Sequence, residues 1–298
     1  MLRTKVIFNP KAHGGEAAGH LEQIKALLKA AGVNFELSLT DKEGDARQQA
    51  KEAVERGFQT VVACGGDGVA GEVAGALVGT KAVFGMIPLG SGDDFAKSLR
   101  TGRNLADAVE AIKQRRTKIV DAGTINDRYY FNSLGIGLDG EVIVEKQKIK
   151  GLRDLKLYLL ATVKALMRYK GQRFSLDFGQ GKIWVEALLV EIMNGRSVGG
   201  GYLLTPDAEI DDGWLDLCII HKLTWLEFFR HVPKTFKGKH THLKQIVMGR
   251  AQKVVIESEQ PMVAQVDGEL WPKREKRYEV TIIPRAVECI VGDHDWKK

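Results

Sequence analysis

A chain of 298 residues, 44% hydrophobic and 28% charged, is long enough for two domains and has the composition of a soluble globular protein. Its net charge of +6 gathers in basic clusters at 113–118, 146–156, 230–244 and 273–277, which suit a solvated face or an anionic lipid surface; without zinc-finger spacing, an RNP motif or a basic heptad helix, nucleic acid is not an expected partner. Three cysteines at unrelated spacings exclude a disulfide framework, no apolar run approaches the roughly 20 residues that span a bilayer, and the short apolar N-terminal segment does not suit a signal peptide, so a cytoplasmic setting is expected.

The first elements alternate. A strand at 5–8 runs into a loop of Asn9-Pro10 and Gly14-Gly15, an amphipathic helix covers 16–31, and a second strand covers 35–40. Asp45 caps a helix ending before Gly57, and a third strand, 60–64, breaks into Gly65-Gly66-Asp67-Gly68 before a helical pattern resumes through Val73, Leu77 and Val78. A strand at 83–88, a second glycine-rich turn at 89–94, a helix at 105–113 and a strand at 118–125 follow. Strands alternating with helices predict a doubly wound, mostly parallel sheet whose ligands lie outside the C-terminal strand ends. After residue 125 the pattern changes. Asn126-Asp127 reads as a hairpin turn into a strand at 129–134, and one amphipathic helix covers 152–169. Short strands then dominate, at 174–178, 183–193, 214–220, 246–248, 253–258, 262–266, 278–283 and 287–291, with a helical piece at 224–236 carrying Trp225, Phe228, Phe229 and Phe236. This is the pattern of an antiparallel β-sandwich.

The strand–glycine–helix passage at 60–78 holds the strongest chemical signal. Backbone N–H groups converge at the positive end of the helix, where a phosphate is favoured. A tight turn with Asp67 as a helix cap would use the same residues. Gly66, Gly68 and Gly71 also satisfy G-x-G-x-x-G, with Asp93 near the distance of a ribose-binding acid, but the passage follows the third strand rather than the first. Asp67 inside the cradle would repel a pyrophosphate unless a cation lay between them. The charge therefore favours a metal-dependent phosphoryl transferase over a dehydrogenase.

Three separated motifs together resemble the diacylglycerol kinase catalytic-domain family, especially the bacterial lipid kinases of the YegS and BmrU type. They are Gly65-Gly66-Asp67-Gly68 with Glu72, the run Pro88-Leu89-Gly90-Ser91-Gly92-Asp93-Asp94-Phe95-Ala96, and Val266-Asp267-Gly268-Glu269. NAD kinases share a GGDG loop without the second motif, and sphingosine kinases are similar. The resemblance implies a nucleotide-binding α/β domain at 1–125, rejoined by 289–298, a β-sandwich bearing the lipid site at 126–288, and catalysis in the cleft between them. It places ATP against Asn9, Thr40, Gly66, Asp67, Gly68, Val69, Ala70, Gly71, Glu72 and Ser91. Two departures stand out: Val69 and Gly71 replace the family's Thr and Asn after GGDG, and Asp93 replaces an Asn. Backbone groups must then hold more of the phosphate, and an extra carboxylate lies near it.

Phosphoryl transfer needs a clamp on the γ-phosphate, an in-line hydroxyl and a proton acceptor. Asp67 is the expected Mg²⁺ holder, with Asp94 and Asp121 in support. In Asp267-Gly268-Glu269 one glycine separates two carboxylates, which on an extended segment face the same side. The resemblance favours Glu269 as base, with Asp267 positioning the metal; a plain turn accounts for the same residues. The loop at 206–214 is similar to the family's structural Mg²⁺ or Ca²⁺ loop, with the Asp212 side chain and the carbonyls of Glu209 and Trp214 as ligands; an ordinary acidic hairpin fits it as well. The expected protein is an ATP- and Mg²⁺-dependent lipid kinase, peripheral to an anionic membrane, converting diacylglycerol to phosphatidate. A kinase of another alcohol (a sphingoid base, a polyprenol or NAD) and a catalytically degenerate nucleotide- or lipid-binding regulator stay open, as does a homodimer.

Overall fold

The computed structural model describes residues 2–102, 104–149, 151–152 and 154–294. Lys150 and Arg153 of one basic cluster, the side chain of Trp225 and residues 295–298 of the expected return lie outside the described residues. The chain divides into two compact units: the residues up to Val120 with the segment from Arg285 onward, and Asp121–Pro284.

In the first unit, β1 (Thr4–Phe8) and β2 (Phe35–Leu39) flank a 3₁₀ helix at Ala12–His20 and α1 (Leu21–Ala30). The single helix expected at 16–31 is thus split: its first turns belong to the 3₁₀ segment, which is itself kinked by the positive φ of His13, Gly14 and Gly15, and α-helix begins only at Leu21. There follow α2 (Asp45–Glu55), β3 (Thr60–Gly65), α3 (Asp67–Leu77), β4 (Val83–Pro88), α4 (Asp94–Leu99), α5 (Leu105–Gln114) and the first part of β5 (Thr117–Ile125), whose residues from Asp121 onward belong to the second unit. β1 pairs in parallel with both β2 and β3, and β3 with β4. Parallel strands buried on both faces read as continuous apolar runs, and β1 and β3 are buried along their whole length. Val6, Phe8, Val62, Cys64, Val83 and Ile87 pack with Ile24 and Leu28 of α1 and Val109 and Ile112 of α5. Each such side chain contributes roughly 1.5–3 kcal/mol by leaving water.

The second unit continues with β6 (Arg128–Tyr130), β7 (Ser133–Gly137), α6 (Leu138–Lys148), α7 (Asp154–Arg168), β8 (Gln172–Asp177), β9 (Lys182–Met193), β10 (Leu215–His221), α8 (Trp225–Thr235), β11 (Ile246–Ala251), β12 (Lys253–Met262), β13 (Ala264–Val266), β14 (Glu269–Leu270) and β15 (Glu275–Ile290). Its pairings are antiparallel, in the order β14-β13-β7-β9-β8-β12-β15, with β10 joining β9 to β11. The far end of β15 belongs to the first unit, where Cys289 pairs in parallel with Phe84 of β4. The fold is thus an N-terminal α/β sheet and a C-terminal β-sandwich-like unit with helices. One core of the second unit joins Leu134, Ile136, Val190, Ile192, Val254 and Tyr278. Another gathers Leu138, Ala161, Leu189, Tyr202 and Cys218 against the helices α6, α7 and α8.

Candidate active site

Two glycine-rich turns of the first unit meet at their backbones. A Cβ on Gly90 would lie 2.6 Å from Gly66 Cα, and one on Gly66 would lie 3.2 Å from Gly90 Cα, so Gly90 needs glycine for space and a side chain on Gly66 would crowd the facing backbone. Leu89 N–H donates to Gly65 O at 2.9 Å, joining the two turns where β3 and β4 end. α3 begins directly after Gly66, and the N–H of Ala70 is the one that returns to Gly66 O, at 3.1 Å. The amides before it belong to the helix's first turn, which has no intrahelical acceptors for them.

Asp67 stands in that first turn and accepts a hydrogen bond from Phe95 N–H of α4 at 3.0 Å. One carboxylate therefore serves the starts of two helices, both of which favour negative charge. Asp93 has φ 50°, and its carboxylate accepts the Gly90 N–H at 2.9 and 3.1 Å, pinning the second turn. Burial pushes the Asp93 carboxyl up to about 6, against the opposing pull of the Gly90 N–H. Asp94 is buried and pairs with Lys97 at 2.9 Å.

The other expected nucleotide contacts border this turn pair to different degrees. Asn9 accepts from Lys11 N–H at 2.9 Å through its side chain, and its own N–H donates to Cys64 O at 2.9 Å. Buried Thr40 donates its N–H to Phe8 O at 2.9 Å. Ser91 is exposed, Gly68, Val69 and Gly71 are half-buried, and Ala70 is fully buried. Glu72 turns to α2, where its carboxylate accepts from Gly44 N–H at 2.9 Å and Arg47 N–H at 3.1 Å. Lys11, which sequence reasoning passed over, donates to the Asp41 carbonyl at 2.5 Å, beside Thr40.

In the second unit, Asp267-Gly268 does not lie on an extended segment. Val266 pairs with Glu269 across a two-residue turn in which Asp267 and Gly268 have φ 47° and 82°, the left-handed pair of a tight hairpin. The alternation that would put Asp267 and Glu269 on one side does not apply there. Asp267 turns inward: one oxygen accepts from Phe131 N–H, the other from Asn132 and Ser133 N–H, each at 2.9 Å. Burial pushes its carboxyl up to about 6 even against those three donors. Glu269 instead pairs with Arg128 at 2.6 Å and is 38% exposed.

Asp121 is buried and accepts Gly213 N–H at 2.7 Å, which ties it to the acidic loop. In that loop Asp212 accepts Trp214 N–H at 3.0 Å and pairs with Arg250, while Glu209 pairs with Arg196. The two guanidiniums offset the negative charge that would draw a cation. Among the described residues no group of three or more His, Cys, Asp or Glu side chains is arranged to hold a metal ion. The oxygen donors of Asp67, at a helix start that favours phosphate, fit a hard Mg²⁺ carried with a nucleotide.

The second unit also contains a cavity of about 90 Å³ walled by Leu138 and Val142 of α6, Tyr158 of α7, Leu189 of β9 and Phe228 and Val232 of α8. Asp139 lines it too, and the Asp139 and Glu191 carboxyls crowd against the same backbone: a Cβ on Gly135 would lie 2.6 Å from an oxygen of each. Tyr158 donates to Asp139 at 2.5 Å. Burial and the Asp139 charge push the Glu191 carboxyl well above its ordinary value. Glu191 was visible in the sequence as the lone acid in the buried run Ala187–Met193.

The diacylglycerol kinase catalytic domain family matches residues 3–125, and the YegS C-terminal NAD kinase beta sandwich-like domain family matches residues 132–291. A Bacillus subtilis protein named diacylglycerol kinase is 29% identical over 274 residues, 90% of each chain. One of that name from Staphylococcus epidermidis is 28% identical, over 91% of this chain and 87% of the relative. Among solved structures, a diacylglycerol kinase from Bacillus anthracis superposes with a TM-score of 0.71 at 20% identity, and another from that organism with 0.79 at 24%, each over 97% of both chains. Among the described residues no helix is long and apolar enough to cross a membrane.

Proposed function

From the premise that this chain belongs to the diacylglycerol kinase catalytic-domain family and is a lipid kinase, we propose that it transfers the γ-phosphate of ATP to a lipid hydroxyl, with diacylglycerol as acceptor and phosphatidate as product. The observation that carries this reading is the contact of Gly66 with Gly90, which sets Asp67 and the first-turn amides of α3 beside the Asp93-pinned turn. Such a surface binds phosphate oxygens through backbone N–H groups, which compensates for Val69 and Gly71 standing where a hydroxyl and an amide are usual. Mg²⁺, when bound with the nucleotide, offsets charge on the phosphate oxygens; Asp67 would hold it, directly or through water.

Glu269 is the proposed base. As the new P–O bond forms and the bond to the ADP oxygen breaks, the lipid hydroxyl proton passes to the Glu269 carboxylate, which Arg128 orients. Asp267 holds the turn on which Glu269 stands, through its three backbone hydrogen bonds. The apolar cavity suits part of an acyl chain. The protein would work in the cytoplasm as a peripheral visitor to anionic membranes.

The test is a labelled-ATP assay against diacylglycerol, a sphingoid base, a polyprenol and NAD, the lipids in mixed micelles. Phosphatidate as the main Mg²⁺-dependent product is expected. Phosphorylation of another acceptor instead reassigns the substrate, and no transfer to any of them with ATP still bound leaves a nucleotide-binding regulator.

A further inference from the structure

α8 is apolar on two sides. One side, Phe228, Val232 and Thr235, walls the cavity. On a helical wheel Leu226, Phe229 and Pro233 fall together on another side, with Arg230 and Lys234 next to them. Leu226 is 79% exposed and Phe229 56%, the first of these the most exposed large apolar side chain among the described residues. Exposed leucine and phenylalanine in adjacent turns make a patch that water alone does not explain.

The charges around this patch have one sign. Residues 222–245 contain six Lys or Arg, at 222, 230, 234, 237, 239 and 244, and a single acid, Glu227. That acid is turned into the helix start, where it accepts from Thr224 N–H at 2.9 Å and from the Thr224 hydroxyl at 2.8 Å, and it also receives Gln245 at 2.6 Å. Lys222, Arg230, Lys237, Lys239 and Lys244 are exposed. Apolar side chains rimmed by cations are complementary to a lipid interface, with acyl boundary below and phosphate headgroups above. The capping box of Thr224 and Glu227 fixes the start of the helix, so the patch is presented on a preformed element.

We infer that α8 is the helix by which this protein docks on an anionic bilayer, with Leu226, Phe229 and Pro233 entering the acyl boundary and Lys222, Arg230, Lys237 and Lys239 meeting lipid phosphates. The inference rests on the lipid-kinase reading and deepens it: one helix is both membrane contact and cavity wall, so a lipid leaving the bilayer meets the cavity without crossing water.

The experiment uses the full chain with sedimenting vesicles of phosphatidylcholine alone or with about 30% phosphatidylglycerol, at low and high salt. Leu226→Ser/Phe229→Ser should keep the wild-type melting temperature, because both side chains are exposed, and should lower binding to anionic vesicles by roughly tenfold or more. Lys222→Gln/Arg230→Gln should weaken binding at low salt and little at high salt. Turnover of a monomeric short-chain diacylglycerol should stay within a few-fold in both variants, while turnover of vesicle-embedded diacylglycerol falls in step with binding. Undiminished binding by Leu226→Ser/Phe229→Ser overturns the inference, as does loss of binding confined to Leu159→Ser/Leu160→Ser, exposed leucines of α7. Equal binding of the wild type to neutral and anionic vesicles also overturns it. If no diacylglycerol is phosphorylated in either form, the functional reading fails, and the vesicle measurements still decide the role of α8.

Discussion

Asp67 in the first unit and Asp267 in the second are each followed by glycine, yet they are held in different ways. Asp67 is half-buried at the start of α3 and gives one oxygen to Phe95 N–H. Asp267 is half-buried too, but both its oxygens are taken by the backbone of 131–133. A carboxylate at a helix start lies where negative charge and a phosphate-bound metal are favoured, whereas one that accepts from three buried amides acts as part of the backbone. The same two letters thus hold a helix start in one unit and a hairpin turn in the other, and the proposed function gives chemistry to the first alone. Glu269, partly exposed and paired with Arg128, is the acid of the second unit proposed as base.

The largest effect expected from this contrast is in Asp67→Asn. The amide oxygen can still accept Phe95 N–H, so the fold should survive while turnover falls by on the order of a thousandfold through lost charge at the phosphate. Melting and phosphorylation measured on one preparation check it. Near-normal turnover at saturating Mg²⁺ would make Asp67 only a cap.

Glu269→Gln comes next. Turnover should fall by roughly a hundredfold, the worth of a positioned base, while calorimetric ATP affinity stays within a few-fold. A loss of affinity that matches the loss of turnover would instead make Glu269 a metal ligand, and unchanged turnover would reduce Asp-Gly-Glu to a turn.

Asp267→Asn should act on stability. An amide keeps one acceptor and sets its NH₂ against a backbone N–H, so a loss of about 1–3 kcal/mol is expected, read by denaturant titration. Turnover per folded molecule should change less than in Glu269→Gln. Unchanged stability with lost turnover would move Asp267 into the chemistry and erase the contrast with Asp67.

Much of the first unit was legible because its signals are local. Apolar β-branched strands, glycines at strand ends and a helical restart after Val69 mark β1, β3, α3 and β4 within a few residues of one another. The second unit hides more. α6 was missed because it is buried on most sides, Asp139 and Glu145 included, and so shows no polar face. The pattern suggests two strands where there is one because Pro284 interrupts it, while β15 runs on through Pro284 and a left-handed Arg285 to Ile290. The Asp267 contacts join residues more than 130 apart, and no spacing rule reaches that far. Asp-Gly was nevertheless readable as a tight-hairpin signal, which would have withdrawn the same-side argument.

The smallest expected effect concerns the buried Asp139–Glu191 pair, a third way of holding a carboxyl in this protein. Glu191 has no exposed surface, and burial and the Asp139 charge raise its pKa well above 4.5. The folded protein therefore keeps a proton there that the unfolded chain releases above about pH 4.5. By linkage, stability contributed by this site is greatest below that pH and declines as pH rises toward the folded pKa. Glu191→Gln removes the titration and offers an amide donor to the Asp139 oxygen that lacks a partner. The variant should melt close to wild type near about pH 5 and above it near about pH 8, giving a flatter dependence of melting temperature on pH. Turnover should move less than in the other variants, since Glu191 does not line the cavity and is not among the residues proposed to meet the phosphate. Parallel pH curves for wild type and variant would mean that Glu191 ionises in the folded protein as it does in the unfolded one, and that its enclosure is relieved by a partner other than Asp139.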